Sequence, residues 1–490
     1  MRDFSAFSPS HFSSSVKREG KMNVNMESQP SYVKLALPKG RFLSSIANLL
    51  GKIDLGFSHY SNEARQYRLR STRFPYLSAK VFQEKDIPIQ VAVGNYDLGI
   101  CGSDWIEEFV VKYPAGALVK ISSLNYGEGS IYVVASNQEK FSSLDESLAR
   151  QNDWRIVSEY PNLAEAFALK FRMRKFRIFP VWGAAEVYPP ENADLAILWG
   201  KNESALKAQG LVSLAKLFPI TAFLIANRES LESKNLSQIL TCLSHVGTGQ
   251  GNVVARVSRS PEPFVFCHSE GEKQSLSEGE VVKQSQWQAK EIKLALPDGH
   301  QCPPTSQFLE RAGLNLQGYS DKALNRRPSV DLDWLGIKVI RPQDMPLQVA
   351  NGNFDLAVTG EDWLLEHLYR FPSSPVAKLL TLGFGGVRIV AAVSQDIPAA
   401  NIGELRSLVQ SGKFAPLRVA SEYINIADKY LRDNHVSPYK LIPTWGASEA
   451  FLPEDADLLI DNAQTGKTLA QHNLKIIDML FQSTACLIGN

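Results

Sequence analysis

The feature that most constrains this chain is a repeat within it. Residues 86–108 return at 344–366 with 13 of 23 positions identical, and the motif at 182–186 (WGAAE) returns at 445–449 (WGASE). Order and spacing are kept throughout. The distance between copies, about 260 residues, is too long for a solenoid, and a unit of about 200 residues has the length of one or two compact domains. The sequence therefore predicts a tandem duplication of one folded unit.

Four segments follow from this repeat in a chain of 490 residues, which is too long for a single hydrophobic core. Residues 1–30 are rich in Ser and Phe with few apolar clusters, which predicts a disordered extension. The first unit occupies 31–228 and the second 291–490. Between them, 229–290 is interpreted as one helix at 229–244 followed by a polar linker.

Within each unit, short apolar runs alternate with helical patterns. Residues 33–37 have the pattern of a buried strand, and residues 41–51 that of a helix with one apolar face. Such alternation predicts an α/β fold with mostly parallel sheets and helices on both faces. Ligands of these sheets bind at the carboxyl ends of the strands, and the motifs described below fall at such ends.

The composition excludes several classes of protein. A net charge of +1 provides no broad basic surface for nucleic acid. No run reaches the roughly 18 to 20 apolar residues of a membrane span. The five cysteines have no CxxC pairing and an odd total, which is typical of reduced thiols in the cytoplasm. Any anion site must therefore be a local pocket of a cytoplasmic protein.

The motif with the clearest chemistry follows an apolar run in the second unit. The sequence DNAQTGKTL at 461–469, the phosphate turn, places Asp461 after a strand and a Thr-Gly-Lys-Thr turn before a helix start. Backbone N–H groups are unpaired at a helix N-terminus, where the dipole attracts anions. Gly466 lets the backbone approach a ligand closely. The pattern predicts a phosphate site; the alternative is a plain loop with a Thr cap.

Three motifs in order carry a family resemblance. They are LALPKGR at 35–41, DIP followed by GNYDLGICGSD at 86–104, and the phosphate turn. Together they resemble ATP phosphoribosyltransferase, over roughly 33–227 and 292–490. The resemblance implies a bilobal fold like type II periplasmic binding proteins, with the active site between the lobes. It also implies transfer of a phosphoribosyl group from phosphoribosyl pyrophosphate to N1 of ATP with Mg²⁺, releasing pyrophosphate, in the first step of histidine biosynthesis by an oligomer.

The resemblance also implies roles for particular residues. Asp461 and Glu449 would face the ribose and support the positive charge that develops at its anomeric carbon, and Asp461 is also a candidate contact for Mg²⁺. Lys39, Gly40 and Arg41 would bind the phosphates of ATP. The residues implied to bind phosphoribosyl pyrophosphate are Thr465, Gly466, Lys467, Thr468, Leu469, Arg341 and Arg388.

Neither copy matches the family pattern completely. In the first copy, Leu198 replaces the Asp of the phosphate turn and Glu203 replaces its Gly, so phosphate binding is predicted to be lost there. In the second copy, Asp298 and His300 replace the Lys and Arg of the opening loop. The first copy also lacks both phosphate-site arginines, with Gln83 and Ser130 at the places of Arg341 and Arg388.

These complementary losses favour a pseudo-dimer that shares one site, in which the second unit binds phosphoribosyl pyrophosphate and Lys39 and Arg41 reach ATP across the interface. In a simpler alternative the whole reaction stays in the second unit. The chain could also be a non-catalytic regulatory member of the family or a solute-binding module. Higher homo-oligomers are compatible with any of these. Asp104 and Asp362 are interpreted as helix caps; Trp105, Trp182, Trp363 and Trp445 are interpreted as lobe packing.

Overall fold

The computed structural model describes residues 32–61, 67–114, 116–138, 153–244, 292–320, 325–414, 416–464 and 466–490, without the side chains of Ser244 and Lys467. The predicted extension at 1–30 and linker at 246–290 lie outside these described residues.

Each unit alternates strands with short helices. The strands of the first unit are β1 (Val33–Lys39), β2 (Arg68–Arg70), β3 (Leu77–Gln83), β4 (Leu98–Gly102), β5 (Leu118–Ser123), β6 (Ser130–Ser136), β7 (Trp154–Ser158), β8 (Phe176–Pro180), β9 (Leu195–Gly200), β10 (Leu211–Pro219) and β11 (Ala222–Asn227). Its helices are α1 (Leu43–Lys52), α2 (Ile87–Ala92), α3 (Ser103–Lys112), α4 (Pro161–Lys170), α5 (Glu203–Ala208), α6 (Arg228–Ser233) and α7 (Ser237–Ser244), with 3-10 turns at Glu84–Asp86 and Ala185–Val187.

The second unit repeats most of this order, without a strand equivalent to β2 among its described residues. Its strands are β12 (Ile292–Pro297), β13 (Leu335–Ile340), β14 (Leu356–Gly360), β15 (Ala377–Thr381), β16 (Val387–Ser394), β17 (Leu417–Ser421), β18 (Tyr439–Pro443), β19 (Leu458–Ala463), β20 (Leu474–Ser483) and β21 (Ala485–Gly489). Its helices are α8 (Cys302–Arg311), α9 (Met345–Ala350), α10 (Glu361–Arg370), α11 (Ile402–Gln410), α12 (Ile424–Asp433) and α13 (Lys467–Gln471), with 3-10 turns at Gly299–Gln301 and Ser448–Phe451.

Each unit has two lobes, each built on its own sheet. In the first unit the sheets have the orders β2-β3-β1-β4-β11-β5 and β10-β6-β9-β7-β8. The chain leaves the first lobe after β5 and returns from the second as β11, which enters between β4 and β5. The second unit has the corresponding orders β13-β12-β14-β21-β15 and β18-β17-β19-β16-β20. The predicted α/β, bilobal and duplicated fold is therefore observed.

The sheets are mixed, whereas the alternation of strands and helices predicts mostly parallel ones. The strands joined by helical crossovers are parallel, as in β1 with β3 and β4. The returning strand β11 is antiparallel to both of its neighbours. It enters the sheet from the cleft side, at the carboxyl end of β4, and so must run in the opposite direction. This lobe crossing cannot be read from local hydrophobic periodicity.

The two units pack as a pseudo-dimer. One buried cluster joins the first lobe of the first unit to the second lobe of the second, and includes Phe82 and Phe451, whose ring centroids are 5.4 Å apart. A matching cluster joins the other two lobes. Lys80 Nζ lies 2.7 Å from Asp455 in one half of the interface, and Lys338 Nζ lies 2.8 Å from Glu191 in the other. Equivalent surfaces thus meet twice, as expected about a pseudo-two-fold axis.

The segment after β11 corrects the prediction of one helix at 229–244. It forms two helices, α6 and α7, separated at residues 234–236. The chain is extended at Lys234, and Asn235 accepts a hydrogen bond from the Ser237 hydroxyl at 2.6 Å. Leu236, Ile239 and Leu243 are nevertheless buried against the first unit, as their spacing predicts. No helix among the described residues is long and apolar enough to cross a bilayer.

Candidate active site

The phosphate turn of the second unit lies between β19 and α13. Gly466 precedes α13 with φ +74°, a conformation that glycine adopts readily, and no described side chain caps the helix. A Cβ atom added at Gly466 would meet no atom within 4 Å, so the space above the turn is open. Thr468 is exposed at this surface, whereas Leu469 is buried in the interface between the units. Thr465 and the side chain of Lys467 lie outside the described residues.

The strand pairing places Arg388 beside this turn. Strands β16 and β19 are antiparallel, with Arg388 opposite Ala463 and Val390 opposite Asp461. Opposed residues of antiparallel strands share a face of the sheet, as do residues two apart on one strand. Arg388 and Asp461 therefore project from the same face, next to the start of the turn.

Acidic groups gather beside this turn, on the same lobe, where it faces the second cleft, which is the space between the lobes of the second unit. Burial, together with repulsion from Glu449 and Asp362, raises the pKa of Asp461 to about 7, although hydrogen bonds from Ser448 and the Asn462 N–H oppose the rise. Burial also raises the pKa of Glu422 to about 8, with Asp461 adding to the shift. A bound cation or developing positive charge would be stabilised strongly here. The sequence reasoning did not identify Glu422.

The carboxylate of Glu449 is carried by a tight turn. It lies in the 3-10 turn Ser448–Phe451, which follows Ala447 with φ +54°. The Thr444 and Ser448 hydroxyls are 2.9 Å apart across the base of this turn. Glu449 is partly exposed and adds to the raised pKa values of Asp461 and Glu422, so the three carboxyl groups share one site.

The corresponding turn of the first unit is closed by the protein itself. Asn202 caps α5 by accepting the Ala205 N–H through its side chain at 2.8 Å. Glu203 occupies the first turn of that helix, where an anion would bind. Trp199, 41% exposed, stands beside it and lines the first cleft, a cavity of about 700 Å³ between the lobes of the first unit. This geometry agrees with the predicted loss of phosphate binding in the first unit.

The opening loop of the first unit lines the first cleft. The Arg41 guanidinium forms ion pairs with Glu84 and Asp104 of its own lobe. Lys39 instead donates to the Tyr67 hydroxyl at 2.9 Å. The Tyr67 ring stacks on His472, one residue beyond α13 of the second unit, with centroids 5.3 Å apart. Lys39 therefore approaches the second unit, whereas Arg41 is held inside the first. Gly40 turns the chain between them with φ +97°.

Arg341 lies in the first cleft although it belongs to the second unit. Its guanidinium is 3.4 Å from Asp298 and packs against Gly183. Asp298 is only 5% exposed and also accepts from Arg326 at 2.7 Å. Asp298, the acidic residue that departs from the family pattern, therefore pairs with two arginines, of which Arg341 lines the first cleft. The structure brings Arg388 to the phosphate turn but places Arg341 elsewhere.

Asp104 and Asp362 are not helix caps, which corrects the sequence interpretation. Asp104 accepts from the Tyr160 hydroxyl of the opposite lobe at 2.8 Å. Asp362 accepts from Tyr423 in the same way at 2.7 Å. Each carboxylate ties its two lobes together at the back of a cleft, a role that depends on contacts distant in sequence.

A second contact between the lobes, made by a glutamate in each unit, was not predicted from the sequence. Glu108 accepts the N–H groups of Asn162 and Leu163 at the start of α4, at 3.0 and 2.8 Å. Glu366 accepts the equivalent groups of Asn425 and Ile426. The repeated glutamate at the end of both 86–108 and 344–366 was the available signal for this contact.

The tryptophans lie where the lobes and units meet. Trp105 packs on Tyr160 and Trp363 on Tyr423, with ring centroids 4.5 and 4.4 Å apart. Four tryptophans line an axial cavity of about 550 Å³ between the two units: Trp105, Trp182, Trp363 and Trp445.

Comparison with known proteins places these features in a family. The sequence model of the ATP phosphoribosyltransferase family matches residues 83–245 and 341–490, more than half of the chain. An ATP phosphoribosyltransferase of Saccharolobus solfataricus is 36% identical over 204 residues, 41% of this chain and 64% of that protein. The match therefore spans slightly less than two thirds of the relative's length.

Two solved structures are similar at the level of one unit. One is an ATP phosphoribosyl transferase (HisG:HisZ) complex from Thermotoga maritima, with 21% identity, a TM-score of 0.37, and coverage of 44% of this chain and 98% of that one. The other is the alkanesulfonate-binding protein SsuA from Xanthomonas axonopodis pv. citri, with 16% identity, a TM-score of 0.31, and coverage of 45% and 74%. Because the family model matches both copies of the repeat, the chain belongs to the ATP phosphoribosyltransferase family, with two of its units in tandem.

Proposed function

We propose that this chain transfers the phosphoribosyl group of phosphoribosyl pyrophosphate to N1 of ATP, releasing pyrophosphate, as the first step of histidine biosynthesis. The second cleft is the site of the reaction. One contrast carries this assignment: the space above Gly466 is open, whereas in the first unit the Asn202 side chain caps the corresponding helix and Glu203 stands in place of the glycine.

The geometry suits a reaction driven by positioning and charge. The 5′-phosphate would accept hydrogen bonds from N–H groups of the phosphate turn, and Arg388 would add a cationic contact. The C1–O bond of the ribose breaks and its electron pair leaves with pyrophosphate, while the lone pair of adenine N1 forms the new bond to C1. Asp461 and Glu449 would face the positive charge that develops at C1. Because the leaving group is already good, this stabilisation can supply much of the acceleration.

Magnesium fits the donor set of the second cleft only in partnership with substrate. No group of three or more His, Cys, Asp or Glu side chains that could hold a metal occurs among the described residues. Mg²⁺ commonly uses one or two carboxylates together with substrate phosphates. Asp461 would supply such a carboxylate, and the ion would neutralise charge on the pyrophosphate leaving group.

Lys39 is the residue that best supports a shared site. Its ammonium lies against Tyr67, whose ring contacts His472 just beyond α13. ATP bound in the second cleft would then receive one cation from the first unit. Arg41, paired with two carboxylates in its own lobe, would instead shape the opening loop around Gly40.

Pyrophosphate release from ATP and phosphoribosyl pyrophosphate with Mg²⁺ tests the assignment. Thr468→Ala should lower the rate at least tenfold because it removes a hydroxyl from the phosphate turn. The matched control is Ser204→Ala, at the equivalent exposed turn of the first unit, which should retain the wild-type rate. Binding of phosphoribosyl pyrophosphate without any product would instead support a non-catalytic member of the family. The proposed location is the cytoplasm, and the pseudo-dimer could assemble further.

A further inference from the structure

At the interface between the units, one buried carboxyl group makes no hydrogen bond to any described part of the chain. Asp86 ends the 3-10 turn of the first unit and is 1% exposed. Neither of its oxygens has a hydrogen-bond partner among the residues that the structure describes. Buried carboxyl groups are normally hydrogen-bonded, because water is otherwise lost without replacement. A partner in another conformation of the protein would explain why this position is acidic.

The pseudo-two-fold axis identifies that partner. Asp344, the counterpart of Asp86 in the second unit, accepts the N–H of Trp182 at 3.0 Å with each of its two oxygens. Trp182 opens the repeated WGAAE motif, and Trp445 opens its WGASE copy. By symmetry, the Trp445 N–H would donate to Asp86. That bond is absent, so this hydrogen bond is made in one half of the interface and not in the other.

The backbone of the two motifs differs at the next residue. Gly446 has φ +99°, in the left-handed region, whereas Gly183 does not lie in that region. Glycine occupies both regions at little cost, so a change from the Gly446 conformation to the Gly183 conformation is available to this turn. Such a change alters how the turn meets the neighbouring unit.

This turn is connected directly to the second cleft. A Cβ atom at Gly446 would lie 3.6 Å from Glu422 of the cleft and 3.3 Å from Gln83 of the first unit. Glu449 follows three residues later on the same turn. The ammonium of Lys85, next to Asp86, lies 5.4 Å from the centre of the Trp445 ring. Movement of the turn would therefore also move the carboxylate of Glu449, which is proposed to take part in catalysis.

We propose that Asp86 of the first unit is a positioning residue for the second cleft: when phosphoribosyl pyrophosphate binds, the Trp445–Gly446 turn rearranges and the Trp445 N–H donates to Asp86, as Trp182 already donates to Asp344. This inference rests on the proposed function, because it takes phosphoribosyl pyrophosphate as the ligand that favours the rearranged Trp445–Gly446 turn. The bond would fix Glu449 against the ribose.

The charged groups around Asp86 are consistent with a hydrogen-bond donor that reaches it only when the ligand binds. Burial raises the pKa of Asp86 to about 8, and Lys85 on the same turn opposes the rise. Glu422 of the second unit interacts with both Lys85 and Asp86. Glu159 and Asp344 also oppose the lowering of the Lys85 pKa that burial causes. A hydrogen bond from the Trp445 N–H would favour the ionised carboxylate and so lower the pKa of Asp86 once the turn has rearranged.

Hydrogen exchange at single amides, followed by mass spectrometry of the full chain, tests the proposal. Without ligand, the Trp445 amide should exchange at least about tenfold faster than the Trp182 amide, which serves as an internal reference. Phosphoribosyl pyrophosphate with Mg²⁺ should slow the Trp445 amide by about tenfold or more. Protection of residues 458–471 reports binding of the same ligand at the phosphate turn.

Matched variants separate positioning from stability. Asp86→Leu should fold normally, since an unpartnered carboxyl group is replaced by an apolar side chain. It should keep ligand protection at 458–471, lose it at Trp445, and lower kcat more than it raises KM. Asp344→Leu should destabilise the protein, because the Trp182 N–H loses both acceptors.

Two results would overturn the inference while leaving the proposed function intact. One is protection of 458–471 with no slowing at Trp445 in the wild-type chain. The other is equal slowing at Trp445 in wild type and Asp86→Leu. If phosphoribosyl pyrophosphate protects neither segment, the proposed function fails and this inference fails with it.

Discussion

Tyr67 of the first unit stacks on His472 of the second, with ring centroids 5.3 Å apart and planes 24° from parallel. Lys39 donates to the hydroxyl of the same tyrosine at 2.9 Å. Burial lowers the pKa of His472, which favours the neutral form of its ring and so reduces repulsion of the Lys39 ammonium. Through this stack, a cation of the first unit reaches the helix that carries the phosphate turn.

Lys39→Ala should raise the KM for ATP about tenfold or more, with a smaller change in the KM for phosphoribosyl pyrophosphate, because one phosphate contact of roughly 1.5–3 kcal/mol is lost. Steady-state pyrophosphate release measures both constants. Lys52→Ala, at the exposed end of α1, is the control and should change neither. Unchanged kinetics for Lys39→Ala would confine the reaction to the second unit.

Arg388→Ala and Arg341→Ala should have different effects on the KM for phosphoribosyl pyrophosphate. Arg388 lies beside the phosphate turn, and its loss should raise this constant about tenfold to a hundredfold. Arg341 lies at the first cleft and is paired with Asp298, so its loss should leave the constant within about twofold. The reverse order of effects would place the sugar phosphate in the first cleft.

Lys80→Met should destabilise the chain more than Lys338→Met. Lys80 and Asp455 are both almost fully buried, and removing the ammonium leaves a buried carboxylate, a change that costs about 3–5 kcal/mol. Glu191, the partner of Lys338, is 38% exposed and can be rehydrated. Thermal unfolding of the two variants provides the comparison. The exposed pair Lys429–Asp433 is the control, because water already screens it, and its removal should leave the unfolding midpoint close to that of the wild type. Equal losses from both variants would contradict this reading of the interface.

Glu422→Gln should flatten the dependence of stability on pH. Burial raises the pKa of Glu422 to about 8, well above the value of about 4.3 expected in the unfolded chain. Between these values the folded chain keeps a proton that the unfolded chain releases, so stability falls as pH rises. In the variant this decrease is absent. The free energy of unfolding of the variant should therefore fall less steeply than that of the wild type, by at most about 1.4 kcal/mol per pH unit. Unfolding midpoints from pH 5 to 8 measure the effect.

Glu310→Gln, at an exposed helix position, is the control for that measurement and should follow the wild-type curve. If the Glu422→Gln and wild-type curves run parallel across this range, Glu422 is ionised in the folded chain and does not share a site with Asp461.

Local patterns were sufficient for the elements around the site. Apolar runs predicted β1 and β19, because each depends on residues close together in the chain. For the same reason the Thr-Gly-Lys-Thr sequence predicted a helix from Thr468, and the structure begins this helix one residue earlier, at Lys467. Glu203 in the corresponding turn of the first unit predicted that this turn does not bind phosphate. The Asn202 cap that closes this turn was not foreseen, although Asn is a favoured cap residue.

The sequence by itself determined the duplication, the α/β class and the position of the phosphate turn, because repeats, periodicity and turn chemistry are properties of neighbouring residues. Only the tertiary structure decided which groups meet: Lys39 with His472 through Tyr67, and Arg341 with the first cleft, while Asp86 has no hydrogen-bond partner within the described ranges. The physical reason is that these meetings depend on how two lobes and two units dock. That geometry is set by buried surfaces hundreds of residues apart, which no local pattern encodes.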